Sequence, residues 1–378
     1  MRYLIRYIKQ DLRKKMVFLS GPRQTGKTTL AKALVKNPTY LNWDVREDKR
    51  TIKNIAWPKD TELVILDELH KMPRWKNHLK GIVDKYHNTP ALVVTGSARL
   101  ETFRKAGDPL TGRFFAYRLH PIDINEAADF TPQLSTDQRL KRLLVTGGFP
   151  EAYIHETDAE RLRNNRFDTV LREDLRDVSN TGALRSIEIL IELLRERVGA
   201  TLSYASLAED LSVSAPTVKS WIELLERLYI IFVVRPYAKG LVRAYRKEPK
   251  VYFYDCAAAY EPDVKGARFE NLVATTLLKY CQWAHDVKGF KLELCYFRDR
   301  DKREVDFVVL KNRSPFLFLE AKHSDDSIHP PLRYLTQRLS PQLSIQLVNN
   351  LEHPREQHGI KIVSASHWLD TLHLNWAG

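Results

Sequence analysis

The stretch Met16-Val-Phe-Leu-Ser20-Gly21-Pro-Arg-Gln-Thr-Gly26-Lys27-Thr28 joins an apolar run to a loop bounded by glycines, and a helical pattern follows. The loop fits G-x-x-x-x-G-K-[ST] at every fixed position and lies between a strand and a helix, as this motif requires. Glycines let backbone N–H groups turn inward around phosphates, and the helix N-terminus adds a positive dipole. We expect Lys27 to reach the β- and γ-phosphates and Thr28 to bind Mg²⁺, so the stretch predicts a site for ATP and magnesium. The residues expected to contact the nucleotide are Gly21, Pro22, Arg23, Gln24, Thr25, Gly26, Lys27, Thr28 and Thr29.

Two further strands are predicted to end beside this loop. Val64-Ile-Leu-Asp67-Glu68 is an apolar run that ends in two carboxylates. We expect Asp67 to hold Mg²⁺ through water and Glu68 to polarise the attacking water as a catalytic residue. The next run ends in Thr95-Gly96-Ser97-Ala98, where the hydroxyl of Ser97 is a candidate to orient that water. Thr95 is the alternative.

Buried strands alternate with amphipathic helices over the first part of the chain, which predicts a parallel sheet with helices on both faces. The pattern becomes helical from about residue 137, and near residue 250 it changes to a mixture of one helix and several strands. The predicted strands of the first part are residues 16–20, 39–43, 63–66 and 91–95. The predicted domains are residues 1–130, 131–250 and 251–378.

The middle segment resembles a winged helix. Helices are predicted over residues 186–198, 203–211 and 215–229, with Ser203 and Ser214 as N-caps. A short polar turn between two helices is typical of helix-turn-helix modules. A β-like run and a basic stretch with two tyrosines, Tyr237 and Tyr245, follow, and such a hairpin fits along DNA phosphates beside helix residues Lys219 and Arg227. The basic residues of the stretch are Arg235, Lys239, Arg243, Arg246, Lys247 and Lys250. The alternative is a spacer or a contact between subunits.

The last segment carries acidic residues on three predicted elements. Glu270 lies on a helix, Asp306 on a strand, and Glu320 ends the next strand two residues before Lys322. Hairpin pairing would bring Asp306 and Glu320 to one metal ion, and alternation along the strand places Glu320 and Lys322 on one face. Mg²⁺ or Mn²⁺ held by Glu270, Asp306 and Glu320 would polarise a phosphodiester, with Asp306, Glu320 and Lys322 as catalytic residues. The alternative is a stabilising cluster of acids and lysine without metal.

These motifs together resemble the AAA+ ATPases, and more narrowly a prokaryotic family that joins such an ATPase to a C-terminal nuclease-like domain. The resembling segments are 21–29, 40–44, 66–70, 95–98, 110–113 and 147–150. The resemblance implies that an arginine from a neighbouring subunit completes each ATP site, with Arg113 as the best candidate and Arg99 and Arg104 as alternatives. An active homo-oligomer is then expected. The spacing of the C-terminal acids is similar to the PD-(D/E)xK nuclease core, which implies a restriction-endonuclease-like α/β fold.

Composition limits the remaining possibilities. The net charge is +13, with most of the excess in the N-terminal third. The phosphates of a nucleotide account for part of it, and either a nucleic-acid partner or a solvated basic surface accounts for the rest. No run of about 18 apolar residues is present, so no membrane association is expected. Three cysteines without metal spacing indicate reduced thiols and a cytoplasmic location.

Three functions remain open from the sequence. The first is an ATP-driven enzyme that binds and remodels or processes DNA, with a metal-dependent nuclease activity as an option. The second is an ATP-controlled switch that binds DNA or protein and has a non-cleaving C-terminal scaffold. The third is a protein remodeller that has no role with nucleic acid.

Overall fold

The computed structural model describes residues 2–96, 109–175, 181–237, 248–260, 266–324 and 326–372. Its chain divides into two compact units. The first unit comprises residues 1–120 and 227–229, and the second comprises residues 121–226 and 230–378.

The first unit is built on a five-stranded parallel sheet in the order β2-β3-β4-β1-β5. Its strands are β1 (Met16–Ser20), β2 (Thr39–Asn42), β3 (Leu63–Asp67), β4 (Ala91–Thr95) and β5 (Phe114–Arg118). Its helices are α1 (Ile5–Leu12), α2 (Lys27–Lys32), α3 (Arg46–Asn54) and α4 (Trp75–Tyr86). The predicted parallel sheet is therefore confirmed, and β5 is a strand that the sequence analysis did not identify.

The core of the first unit explains why these strands form. Every residue of β1 and β3 is buried, as expected for central strands of a parallel sheet. Phe18 packs edge-on against Trp75 of α4 and Phe114 of β5, with ring centroids 6.1 Å and 4.5 Å away. Aromatic packing thus ties α4 and the edge strand to the centre of the sheet.

Helices dominate the first part of the second unit. They are α5 (Ile124–Phe130), α6 (Thr136–Thr146), α7 (Pro150–Ile154), α8 (Ala159–Thr169), α9 (Thr181–Arg195), α10 (Tyr204–Asp210) and α11 (Ala215–Arg227). After α8 the chain continues as a π-helical segment, Val170–Leu175. The predicted N-caps of α10 and α11 are confirmed, because Ser203 Oγ accepts from the amide of Ser206 and Ser214 Oγ accepts from the amide of Thr217.

An eight-stranded mixed sheet forms the rest of the second unit, in the order β12-β13-β11-β10-β9-β8-β6-β7. Its strands are β6 (Ile231–Pro236), β7 (Lys250–Phe253), β8 (Leu292–Arg298), β9 (Glu304–Lys311), β10 (Ser314–Lys322), β11 (Leu343–Val348), β12 (Arg355–Gln357) and β13 (Ile360–Ser364). Its helices are α12 (Ala267–Lys288), α13 (Pro330–Leu339) and α14 (Ala365–Thr371).

Two pairings in this sheet position the C-terminal acids. β6 and β7 pair antiparallel, as the two strands of the predicted hairpin should, and β6 then pairs with β8. The eight-stranded sheet therefore contains strands from both sides of residue 250, where the sequence predicts a boundary between two domains. β9 and β10 pair antiparallel, with Phe307 opposite Leu319, which brings the carboxylates of the two strands together.

No helix among the described residues is long and apolar enough to span a lipid bilayer.

Candidate active site

Two glycines shape the loop from Gly21 to Thr28, which we call the phosphate loop. Gly21 has a φ of 141°, and a Cβ built on it would lie 2.3 Å from the carbonyl oxygen of Leu119, so no side chain fits there. Gly26 has a φ of 88° and directly precedes α2. The bend after β1 therefore depends on glycine at both glycine positions of the motif.

The side chain of Lys27 lies inside this loop and is 8% exposed. Its Nζ donates to the carbonyl oxygens of Gly21 at 3.0 Å and Pro22 at 2.6 Å. These contacts hold a buried positive charge within the bend. The ammonium thus lies inside the loop that the motif predicts to surround phosphates.

Asp67, at the end of β3, accepts four hydrogen bonds from the loop and strands around it. Its Oδ2 accepts hydrogen bonds from Thr28 Oγ1 at 3.0 Å and from the Tyr40 hydroxyl at 2.9 Å. Its Oδ1 accepts from Thr95 Oγ1 at 2.6 Å and from the Glu68 amide at 3.1 Å. The register explains the convergence, because β3 lies between β2 and β4 and pairs Asp67 with Asn42 on one side and Thr95 on the other.

This network fits a magnesium site. The Thr28 hydroxyl and the Asp67 carboxylate are in contact, and oxygen ligands of these two kinds suit Mg²⁺. Burial, followed by the charge of Asp67, raises the pKa of Tyr40 above its usual value, so this phenol stays protonated and donates. The sequence analysis does not predict the contact of Tyr40 with Asp67, although Tyr40 begins the resembling segment 40–44.

Glu68 begins a turn beside Asp67 with a φ of 54°, in the left-handed region. Burial raises the pKa of Glu68, the charge of Lys71 opposes this rise, and Asp67 adds to it. Glu68 Oε2 is buried, lies 3.5 Å from His70 Nε2 and 3.7 Å from Lys71 Nζ, and accepts no hydrogen bond from any residue that the structure describes. A carboxylate with a raised pKa and an acceptor oxygen available suits a general base.

Of the two candidates for orienting the attacking water, the structure describes Thr95 but not Ser97. Thr95 is fully buried and its hydroxyl donates to Asp67, so it acts on the carboxylate that would hold magnesium. Ser97 lies outside the described residues, as do Arg99 and Arg104. The assignment of Ser97 therefore stays a prediction.

Arg113 lies where β5 begins, whereas its own phosphate loop lies where β1 ends. In the parallel pairing of β1 with β5, Met16 is opposite Phe114, whereas Ser20, next to the loop, is opposite Arg118. The Arg113 guanidinium forms an ion pair with Asp84 of α4, with Nε 2.9 Å from Oδ1, and this hydrogen bond lowers the pKa of Asp84. Any contact of Arg113 with nucleotide phosphates therefore requires a second chain.

The predicted C-terminal acids do meet. Asp306 Oδ2 accepts from the amide of Ala321 at 3.1 Å, and Glu320 Oε2 accepts from the amide of Asp306 at 3.2 Å. Lys322 Nζ lies 2.7 Å from Glu320 Oε1, so these two side chains share a face as predicted. Burial and the charge of Asp306 raise the pKa of Glu270 to about 7, so Glu270 belongs to the same group of charges.

Lys250 also belongs to this group, which corrects its assignment to the DNA-binding stretch. Its side chain is 2% exposed, and its Nζ lies 2.7 Å from Glu304 Oε1, 3.2 Å from Asp306 Oδ1 and 3.4 Å from Glu270 Oε1. A side chain this buried cannot lie along a phosphate backbone. The only local signal in the sequence was its place at the start of the apolar run Val251-Tyr-Phe-Tyr254.

The expected metal site at these acids is not supported. Within the described ranges, no group of three or more His, Cys, Asp or Glu side chains is arranged to hold a metal ion. Lys250 and Lys322 are the cations that the carboxylates contact instead. Of the other basic-stretch residues, Arg235 is partly buried, and Lys239, Arg243, Arg246 and Lys247 lie outside the described residues, as does Tyr245.

A second buried ionic group requires glycine at position 147, the first residue of the resembling segment 147–150. Asp255 is 3% exposed and forms ion pairs with Arg163 Nε at 3.1 Å and with Arg166. Burial alone would raise the pKa of Asp255, but the charges of Arg166 and Arg163 outweigh it and lower the pKa. A Cβ on Gly147, which has a φ of 76°, would lie 1.9 Å from Asp255 Oδ1, so glycine is required there.

Three family models match separate parts of the chain. Residues 13–128 match a model described as "AAA domain". Residues 137–261 and 265–368 match two domains of unknown function, DUF8612 and DUF4143. The phosphate loop and the parallel sheet lie within the first match, so this part of the chain is an AAA-type P-loop domain. A nuclease-like fold for the last domain stays a prediction.

Similar proteins occur in a bacterium and in an archaeon. The chain is 23% identical over 334 residues to the uncharacterized protein Rv2008c of Mycobacterium tuberculosis, covering 84% of this chain and 73% of that protein. It is 23% identical over 374 residues to the uncharacterized protein MJ1637 of Methanocaldococcus jannaschii, covering 82% of this chain and 75% of that protein.

Among solved structures, RuvB of Thermotoga maritima matches with a TM-score of 0.34 and 15% identity, over 61% of this chain and 86% of that one. A STAND protein with a tetratricopeptide repeat sensor from Pyrococcus horikoshii matches with a TM-score of 0.29 and 14% identity, over 75% of this chain and 47% of that one.

Proposed function

We propose that the first unit binds ATP with Mg²⁺ and hydrolyses the bond between the β- and γ-phosphates. The observation that carries this proposal is the set of four donors on Asp67, which fixes one carboxylate beside Thr28 and next to Glu68. Preorganised charge of this kind is the main contribution of a protein to phosphoryl transfer.

Each side chain has a distinct role in this reaction. Lys27 binds the β- and γ-phosphates, and Thr28 and Asp67 would hold Mg²⁺, which neutralises phosphate charge when bound. Glu68 orients the attacking water and accepts its proton as the new oxygen–phosphorus bond forms. The bond to the β-phosphate oxygen then breaks, leaving ADP and inorganic phosphate.

ATP binding and phosphate release by the full chain test this proposal. Lys27→Ala should lose both, because the buried ammonium is removed from the phosphate loop. Lys36→Ala is the matched control, since Lys36 is an exposed lysine just after α2 and is expected to leave both unchanged. Turnover by Lys27→Ala at the rate of the parent protein would refute the assignment of the site.

We propose further that the ATPase works as a homo-oligomer in which Arg113 acts on the site of a neighbouring subunit. Arg113 lies at the opposite strand ends from the phosphate loop, and this position supports a role between chains. A guanidinium suits the spread negative charge of the transition state.

DNA is the partner that we propose for the second unit. The sequential helices α10 and α11, joined by a short capped turn and followed by an antiparallel strand pair, support a winged helix-turn-helix. Lys219 of α11 is exposed, which suits a contact with a phosphate backbone. In this view ATP turnover remodels or moves the bound DNA, in a cytoplasmic setting that fits three free thiols.

Binding to duplex, forked and four-way DNA at several salt concentrations tests this partner. Each lost phosphate contact should lower the salt dependence by about one unit of slope, so we expect Lys219→Ala and Arg243→Ala to weaken binding on every DNA form. Lys14→Ala, at an exposed lysine of the first unit, is the control. If the protein binds none of these DNA forms and DNA leaves its ATP turnover unchanged, a protein partner replaces DNA in the proposal.

The second candidate function is an ATP-controlled switch with a C-terminal domain that does not cut DNA. The observation that favours it over a nuclease is Lys250, whose ammonium contacts Glu270, Glu304 and Asp306. Incubation of DNA with the full chain and Mg²⁺ or Mn²⁺ separates the two. Cleavage by the parent protein that disappears in Asp306→Asn would support a nuclease and contradict this second candidate.

A further inference from the structure

The acidic cluster, which comprises Glu270, Glu304, Asp306 and Glu320, surrounds a lysine that is fixed by the sheet. Lys250 is the first residue of β7 and pairs with Val234 of β6, so its backbone cannot shift without breaking the ladder. Its Nζ contacts three of the four carboxylates at 2.7 to 3.4 Å. The lysine therefore belongs to the interior of the domain.

The carboxylate oxygens that a metal ion would need already have donors. Both oxygens of Asp306 are engaged, one by Lys250 and the other by the amide of Ala321. Glu320 Oε1 lies 2.7 Å from Lys322 Nζ and 3.1 Å from His329 Nδ1, and its Oε2 accepts from the amide of Asp306. The two residues best placed for a metal thus keep no oxygen without a protein partner.

The remaining two acids are also in contact with donors. Glu270 Oε1 accepts from the Tyr252 hydroxyl at 2.7 Å and faces Lys250. Glu304 Oε1 lies against Lys250, and its Oε2 lies 3.6 Å from Arg298 Nε. Three permanent cations therefore stand against four carboxylates, and the negative charge that attracts a divalent ion is largely neutralised.

Electrostatics keeps Lys250 charged in this position. Burial alone would lower its pKa, but Glu270, Asp306 and Glu304 outweigh burial and raise the pKa above its usual value. A divalent cation bound to the same oxygens would lie within a few ångströms of this ammonium and repel it. The residues of the acidic cluster therefore do not fit the metal that a nuclease-like domain implies.

We propose that the ammonium of Lys250 is the resident cation of the acidic cluster, and that the C-terminal domain is closed to divalent metal and does not cleave DNA. This proposal rests on the second candidate function, which it deepens, and it does not depend on the ATPase. The domain then serves as a rigid element for binding, in which the lysine holds together β7, β9 and α12. Removal of the lysine charge should convert the cluster into a metal site, because the four carboxylates would then lack their central cation.

Mn²⁺ binding to the full chain without nucleotide tests the proposal, with free Mn²⁺ followed by electron paramagnetic resonance. The parent protein and Asp306→Asn should bind the same number of ions. Lys250→Met should gain one ion, at least about tenfold tighter than any binding by the parent, and the double variant Lys250→Met/Asp306→Asn should lose it again. Lys250→Arg, which keeps the positive charge, should gain none.

Two results would overturn the proposal. One is an ion bound by the parent protein and lost in Asp306→Asn, and the other is a folded Lys250→Met protein that gains no ion. Circular dichroism establishes whether Lys250→Met folds. If it does not, the comparison of the parent with Asp306→Asn decides, since equal binding supports the proposal and binding lost in Asp306→Asn refutes it.

Discussion

The hydroxyl of Thr95 lies 2.6 Å from Oδ1 of Asp67, which ties the end of β4 to the carboxylate that ends β3. This hydrogen bond is fully buried and its acceptor is charged, so its loss is expected to cost about 1.5–3 kcal/mol of interaction. Thr95→Val, which keeps the shape of the side chain, should lower ATP turnover by roughly tenfold or more and raise the Mg²⁺ concentration needed for half-maximal rate. Phosphate release over a magnesium titration measures both.

Thr61→Val is the control for this variant. The Thr61 hydroxyl also makes a hydrogen bond, 3.0 Å long with Thr39, but it does not contact Asp67. It should leave the magnesium dependence as in the parent. An unchanged rate and magnesium dependence in Thr95→Val would show that Asp67 does not need this donor.

The raised pKa of Glu68 predicts where activity falls on the acid side. A base works when deprotonated, so turnover should be lost as the pH falls through a value above 4.5, the usual pKa of a glutamate. Lys71 lowers this pKa, so Lys71→Met should move the acid limb of the rate profile to higher pH. Profiles of kcat against pH measure the shift.

Lys14→Met provides the comparison for the pH profile, since Lys14 is a lysine with a 59% exposed side chain that pairs with Asp11. Its profile should match that of the parent.

Glu68→Gln should bind ATP and lose turnover by about 100-fold or more, in line with general-base contributions. If Lys71→Met leaves the acid limb in place, the group that titrates is not Glu68.

A mixing experiment tests the role of Arg113 between chains. Arg113→Ala and Glu68→Gln should each be inactive alone, the first by about 10³-fold. Mixed together, they should regain turnover, because one chain supplies Glu68 and the other supplies Arg113 at the shared interface. Phosphate release after mixing measures the recovery.

Asp84→Asn separates this role from the ion pair that Arg113 makes within its own chain. If Arg113 serves only to hold α4 through Asp84, Asp84→Asn should be as inactive as Arg113→Ala, and mixing should restore nothing. We expect Asp84→Asn to keep turnover, because it leaves the guanidinium in place.

The buried ion pairs of Asp255 predict a large effect on stability. Asp255→Asn leaves Arg163 and Arg166 buried without their counter-charge, which should reduce the free energy of unfolding by about 3–5 kcal/mol. The folded pKa of Asp255 lies below 3.8, so the contribution of this group is present above that value and is lost as the pH falls through the folded pKa. Urea unfolding at several pH values measures it.

Asp210→Asn is the matched control, because Asp210 pairs with Arg197 at the surface, where its side chain is 40% exposed. Exposed pairs contribute about 0–1 kcal/mol, so this change should be small. Equal effects of the two substitutions would contradict the importance of burial for Asp255.

Local patterns predicted the first unit well. The phosphate loop and the strands ending at Asp67 and Thr95 were identified because their signals lie within a few consecutive residues. β5 was missed, since four of its five residues are only partly buried and its pattern is not that of a central strand. Ser97 remains a prediction.

In the second unit, contacts within one hairpin are predictable from the sequence, whereas ion pairs between distant segments are not. Alternation along β10 and hairpin pairing correctly brought Asp306, Glu320 and Lys322 together. The run of basic residues before Lys250 predicts a contact with DNA, whereas the residues that Lys250 contacts lie 20, 54 and 56 positions further along the chain. Such ion pairs depend on how distant strands are placed, and local charge patterns carry no information about that.

The placement of Arg113 at one end of β5, with Arg118 beside the phosphate loop at the other, has a consequence for regulation. A lone chain that needs Arg113 for turnover holds all the parts of an ATP site but cannot bring them to one nucleotide. The rate per molecule would then rise with the abundance of the protein and fall on dilution. Expression level alone could thus set whether a cell's pool of this protein consumes ATP.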